Sequence, residues 1–361
     1  MARELRSPTR RRTGVGRLLL TIAAWSVVGV LIAPFALAGY PPAHAFAYRE
    51  LGYLILADAL SQASASDEAF VLKTVEFVNE DVFFTQQNPV DESAWTDLVQ
   101  SEGWCDQVAR DVAQLVAKRG IPARVVLGAS HSFGEVFLAG KWRFYDAQNR
   151  YTFRLPSGEL AMTDEVGDGQ GFSEKYEADL SVLAKPGWES YKGGIVNPKA
   201  AWIRVAPLTE SYGAVQASLA SAVTLYHQLG PWFDRLYQDV YVWRHPELGL
   251  VERGRNYELF QRVNKAHACY QEALRSEGLR EKARFYLGRL LLRTGAYEQA
   301  IHELTRLLED YPVTKWRTPA HYFLGEAYQQ TQQVTAARAH YRKVDNSLAG
   351  ASRLLQLPKR G

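Results

Sequence analysis

Apolar positions follow two different periods along this chain, and the switch between them marks its elements. Val108, Val112, Leu115 and Val116 fall at i, i+4, i+7 and i+8, one face of a helix. Gly120-Ile121-Pro122 ends that run. The pattern then becomes strand-like: Ala123–Leu127 and Val136–Leu138 are β-branched or apolar, and Trp142–Tyr145 is rich in aromatics. Ala139-Gly140 is a candidate two-residue hairpin loop, although Ala is not the favoured first residue. Upstream, Ala47–Ala63 and Phe70–Val82 read as helices, and Thr85–Glu92 as a polar loop. Downstream, Val166–Gly171 holds too many glycines for a helix or strand and lacks the Gly-Lys-Ser/Thr of a phosphate cradle. Residues 174–206 carry no clear period. Glu210–Leu229 and Trp232–Trp243 read as two helices punctuated by Gly230-Pro231, and their aromatics are expected in the core.

The last third repeats. Leu287-Gly288 is followed by Ala300 and Leu304, and Leu324-Gly325 by Ala337 and Tyr341, with the same internal spacing. An earlier copy carries Gly254, Tyr257, Ala266, Tyr270 and Ala273, with Arg253 where an apolar residue is expected. The pattern resembles tetratricopeptide repeats, in which small residues let paired helices pack closely. That resemblance implies a module over 247–361 with its own core, able to bind a protein partner.

The amino terminus changes the picture of charge. Residues 1–17 hold six Arg and one Glu, while the whole chain is only +3, so the remainder is slightly acidic. No basic patch with interleaved aromatics points to nucleic acid. Leu18–Tyr40 contains no charge and follows Arg10, Arg11, Arg12 and Arg17. It is long enough to span a bilayer, and its positive flank predicts export of the chain beyond residue 40. Ala36-Leu37-Ala38 and Ala43-His44-Ala45 also resemble signal cleavage sites. A single-pass inner-membrane protein with a periplasmic body, and a periplasmic protein after cleavage, both remain open.

Chemistry concentrates between 103 and 146. Cys105, in Gly103-Trp104-Cys105, opens the apolar-faced helix, where free amides and the helix dipole favour a thiolate. A thiol nucleophile needs a base, and the base needs a partner that fixes its tautomer. His131 and Asp146 are the candidates. With a two-residue loop, Leu138 faces Lys141 and Asp146 faces Phe133, which puts Asp146 diagonal to His131 on one face. A loop one residue longer or shorter would put them on opposite faces. The other cysteine, Cys269, reads as a core residue, and both are expected free. No His-Glu-x-x-His occurs, and no metal or cofactor is implied.

Gly-x-Cys, a helix, Gly120-Ile121-Pro122-Ala123-Arg124, His131, Glu135-Val136, Gly140-Lys141-Trp142 and Asp146 stand in an order similar to the transglutaminase-like superfamily of papain-fold cysteine enzymes. The family favours Trp two residues after the His, where this chain has Phe133. The resemblance implies Cys105 as nucleophile, His131 as general base then acid, and Asp146 as its orienter. Glu135 and Trp142 read as structural, and Arg124 either pairs with an acid in a structural role or touches substrate. The resemblance implies peptide or isopeptide hydrolysis through an acyl-enzyme, or acyl transfer to an amine, on a protein or peptide substrate. A non-catalytic envelope or exopolysaccharide assembly protein is the alternative.

The expected fold is an α+β papain-like, transglutaminase-like catalytic domain with an all-α helical-repeat module and an N-terminal transmembrane or signal helix. The expected divisions are a basic leader at 1–17, the membrane or signal segment at 18–40, and a helical linker at 41–66. The catalytic domain follows at 67–165, a connecting region with a helical hairpin at 166–246, and the repeats at 247–361.

Overall fold

The computed structural model describes residues 39–84, 93–127, 132–148, most of 152–163, 204–207 and 214–344, with scattered positions between 21 and 37. His131 and the Thr85–Glu92 and Val166–Gly171 loops lie outside the described residues, as does most of 18–40. Among the described residues no helix is long and apolar enough to cross a membrane, which gives the expected span no support. The chain divides into two compact units, Met1–Leu51 with Tyr212–Glu247, and Gly52–Ser211 with Leu248–Gly361. The division falls inside helix α1 (Pro41–Gln62), which begins six residues before the expected Ala47 because Pro is tolerated in a first helical turn.

In the second unit, α2 (Asp67–Asp81) starts where Ser66 Oγ accepts from the Ala69 amide at 3.1 Å, a cap worth about 1 kcal/mol. Strand β1 (Phe83–Phe84) pairs in parallel with β2 (Glu102–Gly103), which follows α3 (Ala94–Gln100). Helix α4 (Cys105–Ala117) leaves β2 at once and buries Val108, Val112, Leu115 and Val116, as the period predicts. It packs on an antiparallel sheet of β3 (Ala123–Leu127), β4 (Ser132–Leu138), β5 (Lys141–Tyr145) and β6 (Arg204–Pro207), in the order β5-β4-β3-β6. Strand β6 lies in the stretch that has no readable period. Leu138 faces Lys141, so the hairpin loop is two residues long. Both loop residues adopt positive φ, 50° at Ala139 and 80° at Gly140, which suits the right-handed twist of the flanking strands.

Six helices complete this unit as three antiparallel pairs: α7 (Leu250–Leu259) with α8 (Val263–Ala273), α9 (Glu277–Arg293) with α10 (Tyr297–Asp310), and α11 (Arg317–Gln330) with α12 (Val334–Tyr341). Each pair is closed by one glycine on its first helix. A Cβ on Gly254 would come within 2.4 Å of Tyr270, one on Gly288 within 2.6 Å of Leu304, and one on Gly325 within 2.5 Å of Tyr341. These are the small positions of the repeat pattern.

The three pairs do not stand apart from the rest of this unit. Their first helices face it, and the contact is both apolar and ionic. Phe83 meets the rings of Phe285, Trp316 and Phe323 at 5.7–6.2 Å. Trp95 Nε1 donates to Asn256 Oδ1 at 3.2 Å, Tyr286 Oη to the Gln100 carbonyl at 3.0 Å, and Tyr322 Oη to Glu80 at 3.0 Å. At the centre Asp81 is fully buried against Arg255 at 2.6 Å, Arg293 at 3.1 Å and Arg289 at 3.3 Å. Glu258 pairs with the same three guanidinium groups and accepts from Tyr270 Oη at 2.8 Å. Those cations hold the Glu258 carboxyl well below the usual carboxylate range, against the opposing effect of burial. The stretches expected as separate domains, 67–165 and 247–361, therefore share one interior.

The first unit contains α5 (Ala214–His227) and α6 (Pro231–Arg244), clasped by His227 Nδ1 and Asp234 Oδ2 at 2.9 Å and by Tyr226 packed edge-on to Tyr237. The expected break at Gly230-Pro231 separates them. The expectation that their aromatics are core is corrected in part: Tyr237 is buried, but Trp232 and Trp243 are exposed.

Candidate functional site

Cys105 occupies the first position of α4, and its side chain is half-buried. Gln107 sets this start. Its Oε1 accepts from the Trp104 amide at 2.8 Å, and its Nε2 donates to Asp97 Oδ1 at 3.2 Å. Arg110 holds the other Asp97 oxygen at 2.8 Å. The helix entry is thus tied to α3 rather than left to fray. Asp111, fully buried on the same helix, has its carboxyl pushed well up by burial and by the neighbouring Asp97.

Cys105 Sγ lies 3.4 Å from the backbone nitrogen of Ser132, the first residue of β4 and the sequence neighbour of His131. The thiol therefore meets the end of the strand that follows the proposed base. Tyr145 fixes the other side. Its ring covers Gly134, where a Cβ would come within 1.9 Å, and its hydroxyl donates to the Ala109 carbonyl at 2.9 Å. Ala109 is one turn along α4 from Cys105, so the strand bearing Tyr145 is clamped to the first turns of the helix that Cys105 opens. Asp146 follows Tyr145 and is fully buried. Gly134 faces Tyr145 at the last rung of the β4–β5 ladder, and Asp146 is the next residue of the chain. Leu138 faces Lys141, as a two-residue hairpin loop predicts.

The remaining motif residues form a structural clip. Arg124 faces Glu135 across β3–β4, with Nε 2.5 Å from Oε2. Its guanidinium lies 4.0 Å from the Trp142 ring centroid, and Thr163 Oγ1 donates to Glu135 Oε1 at 2.5 Å. The Pro-Ala-Arg, Glu-Val and Lys-Trp segments thus lock three strands together. Cys269 sits apart on α8, buried, and burial pushes its thiol up, away from the thiolate. Among the described residues no group of three or more His, Cys, Asp or Glu is placed to hold a metal ion.

Sequence reasoning missed the support beneath the site: Gln107, the Asp97–Asp111 pair, and the Tyr145–Gly134 clasp. Gly134 inside a strand was the available signal, because such a glycine marks a close approach. Comparison of the chain with protein-family models, curated proteins and solved structures finds no match.

Proposed function

We propose that this chain is a transglutaminase-like cysteine hydrolase or acyltransferase acting on peptide or isopeptide bonds. One observation carries the reading. A half-buried cysteine opens α4 with its sulfur against the start of β4, the residue after His131, while buried Asp146 directly follows Tyr145, which faces Gly134 of β4. In this mechanism His131 takes the proton of the Cys105 thiol, and the sulfur attacks the substrate carbonyl. The C–N bond breaks as His131 returns the proton to the leaving amine, leaving a thioester. Water then releases an acid, or an amine takes the acyl group. Asp146 keeps the imidazole in the productive tautomer. The Cys105 amide, at the helix start, is a donor for the oxyanion. The three helical pairs, which resemble tetratricopeptide repeats, support the wall behind α3 and β1.

Alkylation tests the reading. With iodoacetamide at pH 6–7, the folded chain is expected to lose Cys105 far faster than Cys269, read by peptide mass spectrometry. Equal, slow rates at both would overturn it. Asp146→Asn is expected to keep the fold and lower kcat for peptide hydrolysis by about 10²–10⁴. Full activity in that variant would assign another partner to His131.

A further inference from the structure

The first unit carries an unusual share of exposed apolar side chains. Leu225 is 66% exposed, Trp232 59% and Trp243 70%, with Leu229, Ile32 and Phe35 also open. Helix α5 is the extreme case. Between Glu210 and Asp234 the chain has no Asp, Glu, Lys or Arg, and within α5 only Val223 is buried among the residues whose side chains are described. A water-facing helix ordinarily carries charge on its outer face, and one apolar all round sits in a core or in lipid. Two of its hydroxyls are satisfied within the helix: Ser221 Oγ donates to the Ala217 carbonyl and Thr224 Oγ1 to the Ala220 carbonyl, both at 3.0 Å. Apolar surroundings demand that of a hydroxyl.

Helix α6 supplies the boundary. Trp232, Arg235 and Trp243 stand at i, i+3 and i+11, one face of the helix that also carries half-buried Asp239 at i+7, with Arg244 beside the last. That face is exposed, while Asp234, Tyr237, Gln238 and Val240 are buried. Exposed tryptophan next to arginine suits the headgroup layer, where an indole is half solvated and a guanidinium meets phosphate. With 14 residues α5 is about 21 Å long, short of the roughly 30 Å needed to cross hydrocarbon. We infer that α5 and the Trp232–Trp243 face of α6 lie in the headgroup–acyl interface of an anionic phospholipid bilayer, as a second membrane contact besides the predicted N-terminal segment. The inference does not depend on Cys105.

The test uses the full chain with Cys105→Ser and Cys269→Ala, labelled with an environment-sensitive dye through Leu225→Cys, Trp243→Cys or Val313→Cys. Val313, in the other unit and 97% exposed, is the control. On phosphatidylethanolamine–phosphatidylglycerol vesicles the first two labels are expected to shift to the blue and be quenched by shallow-doxyl lipid, and the Val313 label to stay water-like. The label reports the hairpin itself even where the N-terminal segment holds the chain on the vesicle. L225D/L229D is expected to abolish the shift at Trp243→Cys. Water-like emission at Leu225 and Trp243 overturns the inference, as does a shift retained in L225D/L229D. A shift that grows with protein concentration in the absence of vesicles also overturns it, and assigns the face to a second copy.

Discussion

The interior of the second unit and the surface of the first invert the usual distribution of residues. Arg255, Arg289, Asp81 and Glu258 are buried where the helical pairs meet α2 and α3, while Trp232 and Trp243 are open on α6. Residue type does not decide burial; the available partner does. A guanidinium can leave water when carboxylates meet it in good geometry, and removing one partner then costs far more than the pair gains. A tryptophan can stay exposed when its medium is not water. Charge inside therefore marks a junction between halves of the chain, and apolar surface outside marks a contact with something beyond it.

The largest expected effect breaks the first half of that comparison. Deleting 248–361 strips Asp81 of all three arginines and uncovers Phe83 and Trp95. The remaining chain is expected to aggregate or to lose its cooperative melt, and Cys105 to lose any selective alkylation. A truncation that melts within a few degrees of the full chain would show the helical pairs to be a separate module after all. Next comes Arg255→Ala, which leaves Asp81 and Glu258 short of a partner and is expected to cost about 3–5 kcal/mol in urea unfolding. Leu225→Asp, on the open face of α5, is expected to change stability by less than about 0.5 kcal/mol in the absence of lipid. If the two substitutions cost the same, the contrast between junction and surface fails.

How much of this the sequence announces depends on range. The α4 face, the two-residue loop and the glycines at 254, 288 and 325 are local patterns, and each is readable from spacing alone. The Asp81–Arg255 pair joins residues 174 apart, so no window contains it. Its trace was a charged residue inside an apolar run: Arg289 between Gly288 and Leu290, and Arg255 one residue beyond Gly254. Helix α6 was legible as a helix, but periodicity identifies an apolar face without naming what covers it. Asp146 followed from the register once the loop length was set. Gln107 did not, because a polar side chain near a helix start looks like any solvated residue until its partners are placed.

The smallest effects sharpen the comparison through pH, because each unit buries a titratable group in an unfavourable setting. In the second unit, burial and Asp97 raise the Asp111 carboxyl well above its ordinary value, so the folded state holds that proton more tightly than the unfolded one. Its contribution is fully present below the unfolded pKa of about 4 and is lost as pH rises through the folded value. In the first unit, His44 is buried against Tyr237 and Tyr241, and neither ring nitrogen has a hydrogen-bond partner among the described residues. Burial first, then His245 and Arg244, lowers its pKa to about 4. The unfolded chain therefore binds that proton more readily, so stability from His44 is present above about pH 6.5 and lost as pH falls toward 4. Asp111→Asn is thus expected to raise the melting temperature more at pH 8 than at pH 4. His44→Gln is expected to show the opposite slope, gaining relative to the parent chain as pH falls from 6.5 to 4. Melting curves across that range separate the two groups, and parallel slopes for both variants would mean that neither site is buried as described.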